Sequence, residues 1–331
     1  MSSSDYHNGE KDASPGRPCH TLGEGAGFRI LDERTVVRMT GDDRVSFLHG
    51  MCSADVKGAK PGSVLPGLFL TEHAHVIGEF LLWVLEDSLI IEAGRPQWPR
   101  SRAHLERFLV ADDVEIEETG LCVLDVEGPK AGEVLSRAGI GEAAALRPWR
   151  WAKTRAGFIG QVPRFGAPAW SLLAERARLD EVAGALARAG AVAIEAQALE
   201  ALRIANGVAA LGVDTGEKTI ALEARLERAI SFNKGCYVGQ ETIERATARG
   251  ALKKRLFGLK FAGEVASGAA LLLDGKEVGR VTSSTVFPGL GAIGLAILHH
   301  SVWAPGTALS VRGENGETAT AVVSELPFDN N

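Results

Sequence analysis

Lys234-Gly235-Cys236-Tyr237-Val238-Gly239-Gln240-Glu241, followed one helical turn later by Arg245, puts a thiol, a cation, an amide, a carboxylate and two glycines into one short run. Gly235 and Gly239 permit tight or left-handed backbone and the close approach of a ligand. The next residues, Gln240 to Gly250, read as a short helix that is acidic at its start, basic at its end and closed by a glycine. Cys236 thus falls just ahead of a helix N-terminus, two residues from Lys234. Free backbone N–H groups and an ammonium both favour a reactive thiol, with Glu241 and Glu244 opposing them. The other reading of the same residue is a small cysteine buried in a structural turn.

Outward from this run, further groups recur in a fixed order. Upstream lie Leu202-Arg203-Ile204, then Gly212, Asp214 and Glu223; downstream lie Gly279-Arg280-Val281-Thr282-Ser283-Ser284, Pro288 and Gly294-Leu295-Ala296. In residue types and spacing, the whole set resembles the YgfZ-type folate-binding proteins, relatives of the glycine-cleavage T-protein (aminomethyltransferase). The resemblance extends from about Phe28 to the C-terminus. It implies a multidomain α+β fold of the T-protein kind, with tetrahydrofolate or a derivative in a central cavity.

The composition is that of an ordinary globular chain. Its 331 residues, 45% hydrophobic and 24% charged, suffice for two or three domains with a substantial core. A net charge of −6 argues against broad nucleic-acid binding by phosphate neutralisation. No apolar run approaches the roughly 20 residues that span a bilayer, and the polar N-terminus lacks the apolar centre of a signal peptide, so a cytoplasmic protein without membrane partners is expected. Cys19, Cys52, Cys122 and Cys236 are scattered without a CxxC pair, which predicts reduced thiols and neither a disulfide framework nor a zinc site. No Walker-type loop appears.

Along the chain, residues 1–27 are rich in Ser, Gly, Asp, Glu and Pro and read as a disordered tail. Arg34–Met39 reads as a strand, and Thr40-Gly41-Asp42-Asp43 as capping residues for a helix carrying Val45, Phe47 and Leu48. Val64–Leu70, Val76–Leu85 and Ser88–Ile91 predict a meander, with His73 and His75 in an exposed hairpin and no third metal ligand near them. A helix is predicted over Pro99–Leu109. From Leu121 to Ala205 the order strand, helix, strand, strand, helix is compatible with a ferredoxin-like unit at about 119–205, with Cys122 in its core. After Gly250 short strands at even spacing predict a C-terminal β-barrel over 251–331, leaving 28–250 as the T-protein-like region.

The resemblance also assigns roles. Val76-Ile77-Gly78-Glu79-Phe80 lies where T-proteins carry paired aspartates, so Glu79 is the residue that would hold or transfer a proton at the folate. Ala205 stands where the family has a glutamate that grips the pterin ring. Arg203 is placed towards the glutamate tail of folate, and Asp214 and Glu223 match family positions, each with an interdomain ion pair as its plain alternative. Cys236 would be the functional thiol, with Lys234, Tyr237, Gln240, Glu241 and Arg245 shaping its pocket. The implied function is a folate-binding accessory protein that supports iron–sulfur enzymes and tRNA-thiolating enzymes. Two other functions stay open at this point: a tetrahydrofolate-dependent aminomethyltransferase or methyltransferase, and a non-catalytic partner-binding scaffold.

Overall fold

The computed structural model describes residues 22, 24–166, 168–249, 252–313 and 318–329. Two sheets pack face to face, each covered on its outer side by helices, and a closed barrel stands beside them. The first sheet has the order β3-β4-β5-β2-β6, formed by Val64–Leu70 (β3), Val76–Val84 (β4), Leu89–Gly94 (β5), Arg34–Thr40 (β2) and Glu115–Glu118 (β6). Alternation along its strands explains the layering. Phe80, Leu82 and Val84 of β4 and Val37 and Met39 of β2 face the helices Arg44–Met51 (α1) and Trp98–Phe108 (α2). Leu81, Trp83 and Val36 face the second sheet instead. The helix start at α1 differs from expectation: no side chain caps it, and the Asp43 carboxylate accepts the Asp113 backbone N–H at 2.9 Å.

The second sheet contains Cys122–Glu127 (β7), Arg150–Lys153 (β8), Phe158–Gln161 (β9) and Ala169–Ala174 (β10), backed by Ala131–Arg137 (α3) and Arg176–Arg188 (α4). Sequence order alone does not complete it. Gly27–Ile30 (β1) inserts between β7 and the short strand Val192–Ala193 (β11), so the ferredoxin-like unit expected at 119–205 needs a strand from outside that range. The physical reason is register: Gly27 to Ile30 pair antiparallel with Glu127 to Leu124, covering a β7 edge that would otherwise expose unpaired backbone groups. Leu22 and Ala26 are buried in the core, so the stretch read as a tail contributes to packing at its C-terminal end; residues 1–21 and 23, Cys19 among them, lie outside the described residues. Cys122 is only half-buried at the edge of the core.

Ala196–Ala205 (α5) runs along the inner seam, and Gln240–Arg249 (α6) follows the thiol run. The strands Lys254–Phe261 (β12), Ala270–Leu273 (β13), Lys276–Phe287 (β14), Gly291–His299 (β15), Ala308–Arg312 (β16) and Thr318–Ser324 (β17) close into a barrel in the order β12-β15-β14-β13-β16-β17. Asp274 and Gly275, with φ of 49° and 78°, form the tight turn between β13 and β14. The expected turn at Glu314-Asn315-Gly316 lies outside the described residues. Gly289-Leu290-Gly291-Ala292-Ile293-Gly294 has the spacing of a dinucleotide fingerprint, but it spans the β14–β15 hairpin with no helix after it, so it makes no phosphate cradle.

Where the sheets meet, Glu127 is fully buried and neither carboxylate oxygen has a hydrogen-bond partner among the described residues. Burial, reinforced by the Asp125 charge, raises its pKa well above the usual carboxylate value. A folded-state value above the unfolded one contributes stability that is present below the unfolded pKa of 4.5 and lost as pH rises through the folded one. Glu127→Gln, neutral at every pH, is therefore expected to melt higher than the parent at pH 8 and to lose that advantage at pH 4. Thermal unfolding across this range checks it; a difference that does not vary with pH refutes the assignment.

Candidate functional site

A cavity of about 670 Å³ opens where the two sheets, α5 and the barrel converge. It is within the usual range for a small-molecule site. Glu79 projects into it because odd-numbered residues of this part of β4 face away from the helices. The neighbouring Gly78 faces α2 at close range: a Cβ there would lie 2.3 Å from the Ser101 hydroxyl oxygen. A side chain at this position would displace the Ser101 hydroxyl and face α2, not the cavity. Glu79 is not desolvated as the apolar strand suggests; its side chain is 38% exposed to the cavity, with the Arg34 guanidinium 3.7 Å away.

Beneath this lies a network of buried charge. Arg164 donates to Asp125 at 2.7 Å and to Glu92 at 2.7 Å, and Arg34 donates to Glu92 at 3.0 Å. Burial pushes the Glu92 carboxyl up, but the guanidinium charges of Arg164 and Arg34 outweigh it and hold the group below its ordinary value. Arg228 is different. It reaches the cavity from the segment after Leu226 and has no hydrogen bond or ion pair to the described residues, although Glu79 attracts it electrostatically. Surrounding protein lowers its pKa, yet an arginine stays charged, so the cavity wall offers an uncommitted cation.

Arg203 also lines the cavity, but its donors are spent. They go to Asp214 at 2.6 Å, to Ser283 at 2.8 Å, to Glu200 and to the Val208 carbonyl. Asp214 in turn accepts from the Ala210 N–H at 2.9 Å, from Ser283 and from Thr282. The β14 register shift between Val281 and Ser283 aims two consecutive hydroxyls at this carboxylate. The pair is thus the interdomain tie of the plain alternative, fastening α5 to the barrel. Glu223 accepts the Ile220 N–H at 3.2 Å and burial raises its pKa; it does not line the cavity. Ala205 is buried outside the cavity, its carbonyl accepting the Phe328 N–H, and Asn206 donates to Leu202, so neither replaces a pterin-gripping glutamate.

The thiol run occupies another face, and none of its residues lines the cavity. Lys234 is buried and its ammonium donates to the carbonyls of His49, Cys52 (2.6 Å) and Ala54 (2.8 Å) while lying 4.8 Å over the Tyr237 ring. It caps the end of α1 and is not presented to the thiol or to a ligand. Tyr237 is a buried anchor whose hydroxyl is pushed up to about 12 by burial. Gln240 bonds the Tyr237 N–H and Glu244, and Glu241 and Arg245 form an exposed ion pair along α6. Cys236 is exposed, which removes the buried-turn reading. Cys52 is the buried thiol, raised to about 11 by burial. His73 and His75 sit in the β3–β4 connection; among the described residues no cluster of three or more metal-ligating side chains forms.

Sequence reasoning found Glu79, Arg203 and the thiol run but missed Arg228, Arg164 and Arg34. Each is a single charged residue in a non-periodic stretch, and only the fold brings them to one cavity. With this geometry in view, similarity is informative. Residues 16–234 match the GCVT N-terminal domain and residues 254–329 the glycine cleavage T-protein C-terminal barrel domain, so the chain belongs to the glycine cleavage T-protein family. Among its relatives are a chloroplastic transferase candidate of Arabidopsis thaliana (28% identical; 88% of this chain, 68% of that one) and the aminomethyltransferase of Rubrobacter xylanophilus (26%; 82% and 75%). A third is the tRNA-modifying protein YgfZ of Vibrio vulnificus (26%; 70% and 68%). The crystal structure of the glycine cleavage system aminomethyltransferase T from Bartonella henselae superposes with a TM-score of 0.86 at 21% identity, over 95% of this chain and 89% of that one.

Because Lys234 satisfies three buried carbonyls, Lys234→Met is expected to lower unfolding free energy by about 1–3 kcal/mol through those orphaned acceptors. Urea unfolding measures it; an unchanged midpoint would show that the ammonium is dispensable to the fold.

Proposed function

We propose that this protein binds a tetrahydrofolate and acts as a YgfZ-type accessory factor in the cytoplasm, supporting iron–sulfur enzymes and tRNA-thiolating enzymes through the exposed thiol of Cys236. The observation that carries this reading is the division of labour in one chain: a cavity with an uncommitted Arg228, and a solvent-facing cysteine loop on another face. Arg228 suits a folate carboxylate, to which a charge-assisted bond contributes about 1.5–3 kcal/mol. An exposed thiol suits transfer to or from a second protein, which a thiol enclosed with the folate would not.

The second reading is a tetrahydrofolate-dependent aminomethyltransferase, supported by Glu79 in the cavity. Against it stand the glycine in place of a second carboxylate at position 78, which faces α2, and the withdrawal of position 205 from the cavity. Product formation from a lipoyl-bound aminomethyl donor would favour it.

Titration with tetrahydrofolate, followed by melting temperature, is expected to give saturable stabilisation that grows with ligand concentration. Arg228→Ala should weaken binding by about one to two decades. No binding at millimolar ligand would sink the folate reading in favour of a scaffold that has lost its ligand. Cys236→Ser is expected to keep folding and folate binding while abolishing support of iron–sulfur enzymes in cells; full support by that variant refutes the role of the thiol.

A further inference from the structure

Trp149 adopts a φ of +64°, a left-handed conformation that bulky side chains rarely take. The surroundings fix it there. Its N–H donates to the Gln161 carbonyl at 2.8 Å, and its own carbonyl accepts the Val64 N–H at 2.9 Å, so the residue bridges the second sheet to β3 of the first. It cannot relax without giving up one of these bonds. Glycine would take the same backbone without steric cost, so the turn by itself does not call for an indole.

The indole lies in the cavity wall, half-buried, in one apolar cluster with Leu31, Leu81, Phe165 and Leu199, all of which also line the cavity. Its ring N–H makes no hydrogen bond to the described residues, which is also true of Trp83 and Trp98 in the core, whereas those of Trp151, Trp170 and Trp303 each find a backbone carbonyl. The backbone conformation and the place in the cavity wall, not the free N–H, therefore set Trp149 apart. A strained backbone held by bonds on both sides, carrying an aromatic ring in the wall of a cavity, is the pattern of a preorganised ligand contact. We propose that Trp149 is the stacking plate of this cavity. It selects ligands with a planar conjugated ring, and its strained backbone holds the indole in place before the ligand arrives.

The inference rests on the folate reading, for which the ring is that of the pteridine or the aminobenzoyl group. Stacking would supply here what hydrogen bonding from position 205 does not. Calorimetric titration of the full chain with 5-formyltetrahydrofolate tests it, alongside ligand-free melting of three variants. Trp149→Phe, which keeps a flat ring, is expected to bind within about threefold of the parent, and Trp149→Ala to bind about 5- to 150-fold more weakly. Trp149→Gly should bind as weakly as Trp149→Ala yet melt a few degrees higher, because it relieves the left-handed strain. A residue that merely fills space would show no such split between affinity and stability. Parental affinity in Trp149→Ala, or a glycine variant melting no higher than the alanine variant, overturns the proposal. Failure of the parent itself to bind overturns the folate reading and this assignment with it.

Discussion

The ionic contact of Arg164 with Glu92 and Asp125 is the constraint on which the arrangement of the two sheets depends. Glu92 belongs to β5 and Asp125 to β7, so a single guanidinium joins opposite layers, and Ser171 on β10 and Arg34 on β2 complete the network. Isolated buried charges are costly, whereas a paired and hydrogen-bonded cluster is tolerated and fixes one geometry; here both guanidiniums share one Glu92 oxygen, and the other has no hydrogen-bond partner among the described residues. Losing one partner would leave the others uncompensated, at a cost of about 3–5 kcal/mol. The same guanidinium lines the cavity, so the seam of the fold is also the floor of the site. Arg34, fixed by Glu92, then approaches Glu79 and connects that floor to the carboxylate facing the cavity.

The cavity and the thiol run are separate faces of one continuous segment. Leu226, Arg228 and Ala229 line the cavity, and Lys234 begins the thiol run a few residues later. Ser53 stitches this segment to β3: its hydroxyl donates to the Ala229 carbonyl at 2.6 Å and accepts the Leu68 N–H at 2.9 Å, while its carbonyl accepts the Ser231 N–H. Lys234 fastens the next part to the end of α1, and Gly239, at φ +89°, passes where a Cβ would lie 2.6 Å from the Thr71 carbonyl oxygen. The two glycines of the run thus differ in purpose. Gly239 is required by close approach, whereas a Cβ at Gly235 would meet nothing nearer than the His49 ring at 3.9 Å.

The departures at Gly78-Glu79 and Ala205 acquire a physical meaning in this setting. Gly78 is a packing residue, because α2 presses Ser101 against it and a side chain there would meet that helix and not the cavity. Ala205 belongs to the apolar joint between α5, the C-terminal segment and the barrel, where Phe328 donates its N–H to the Ala205 carbonyl. The polar character of the cavity has moved to the arginines and to Glu79, and its apolar character to the wall around Trp149.

By itself the sequence determined the elements with strong local signals. The alternating strands of the meander, the helix at 98–108, the six short barrel strands and the start of α6 at Gln240 all follow from periodicity, turn residues and caps. The thiol run was legible because its groups are neighbours in the chain. Tertiary structure alone decided what those groups touch. Lys234 reads as an activating cation beside Cys236, but burial turns it towards three carbonyls of another element, since an ammonium removed from water must find oxygen acceptors. The insertion of β1 into the second sheet and the meeting of Arg34, Arg164 and Arg228 in one cavity leave no local pattern, because each depends on residues far apart in the chain. The left-handed Trp149 is equally silent in the sequence: its conformation is imposed by hydrogen bonds from two different sheets, and no propensity of tryptophan foretells it.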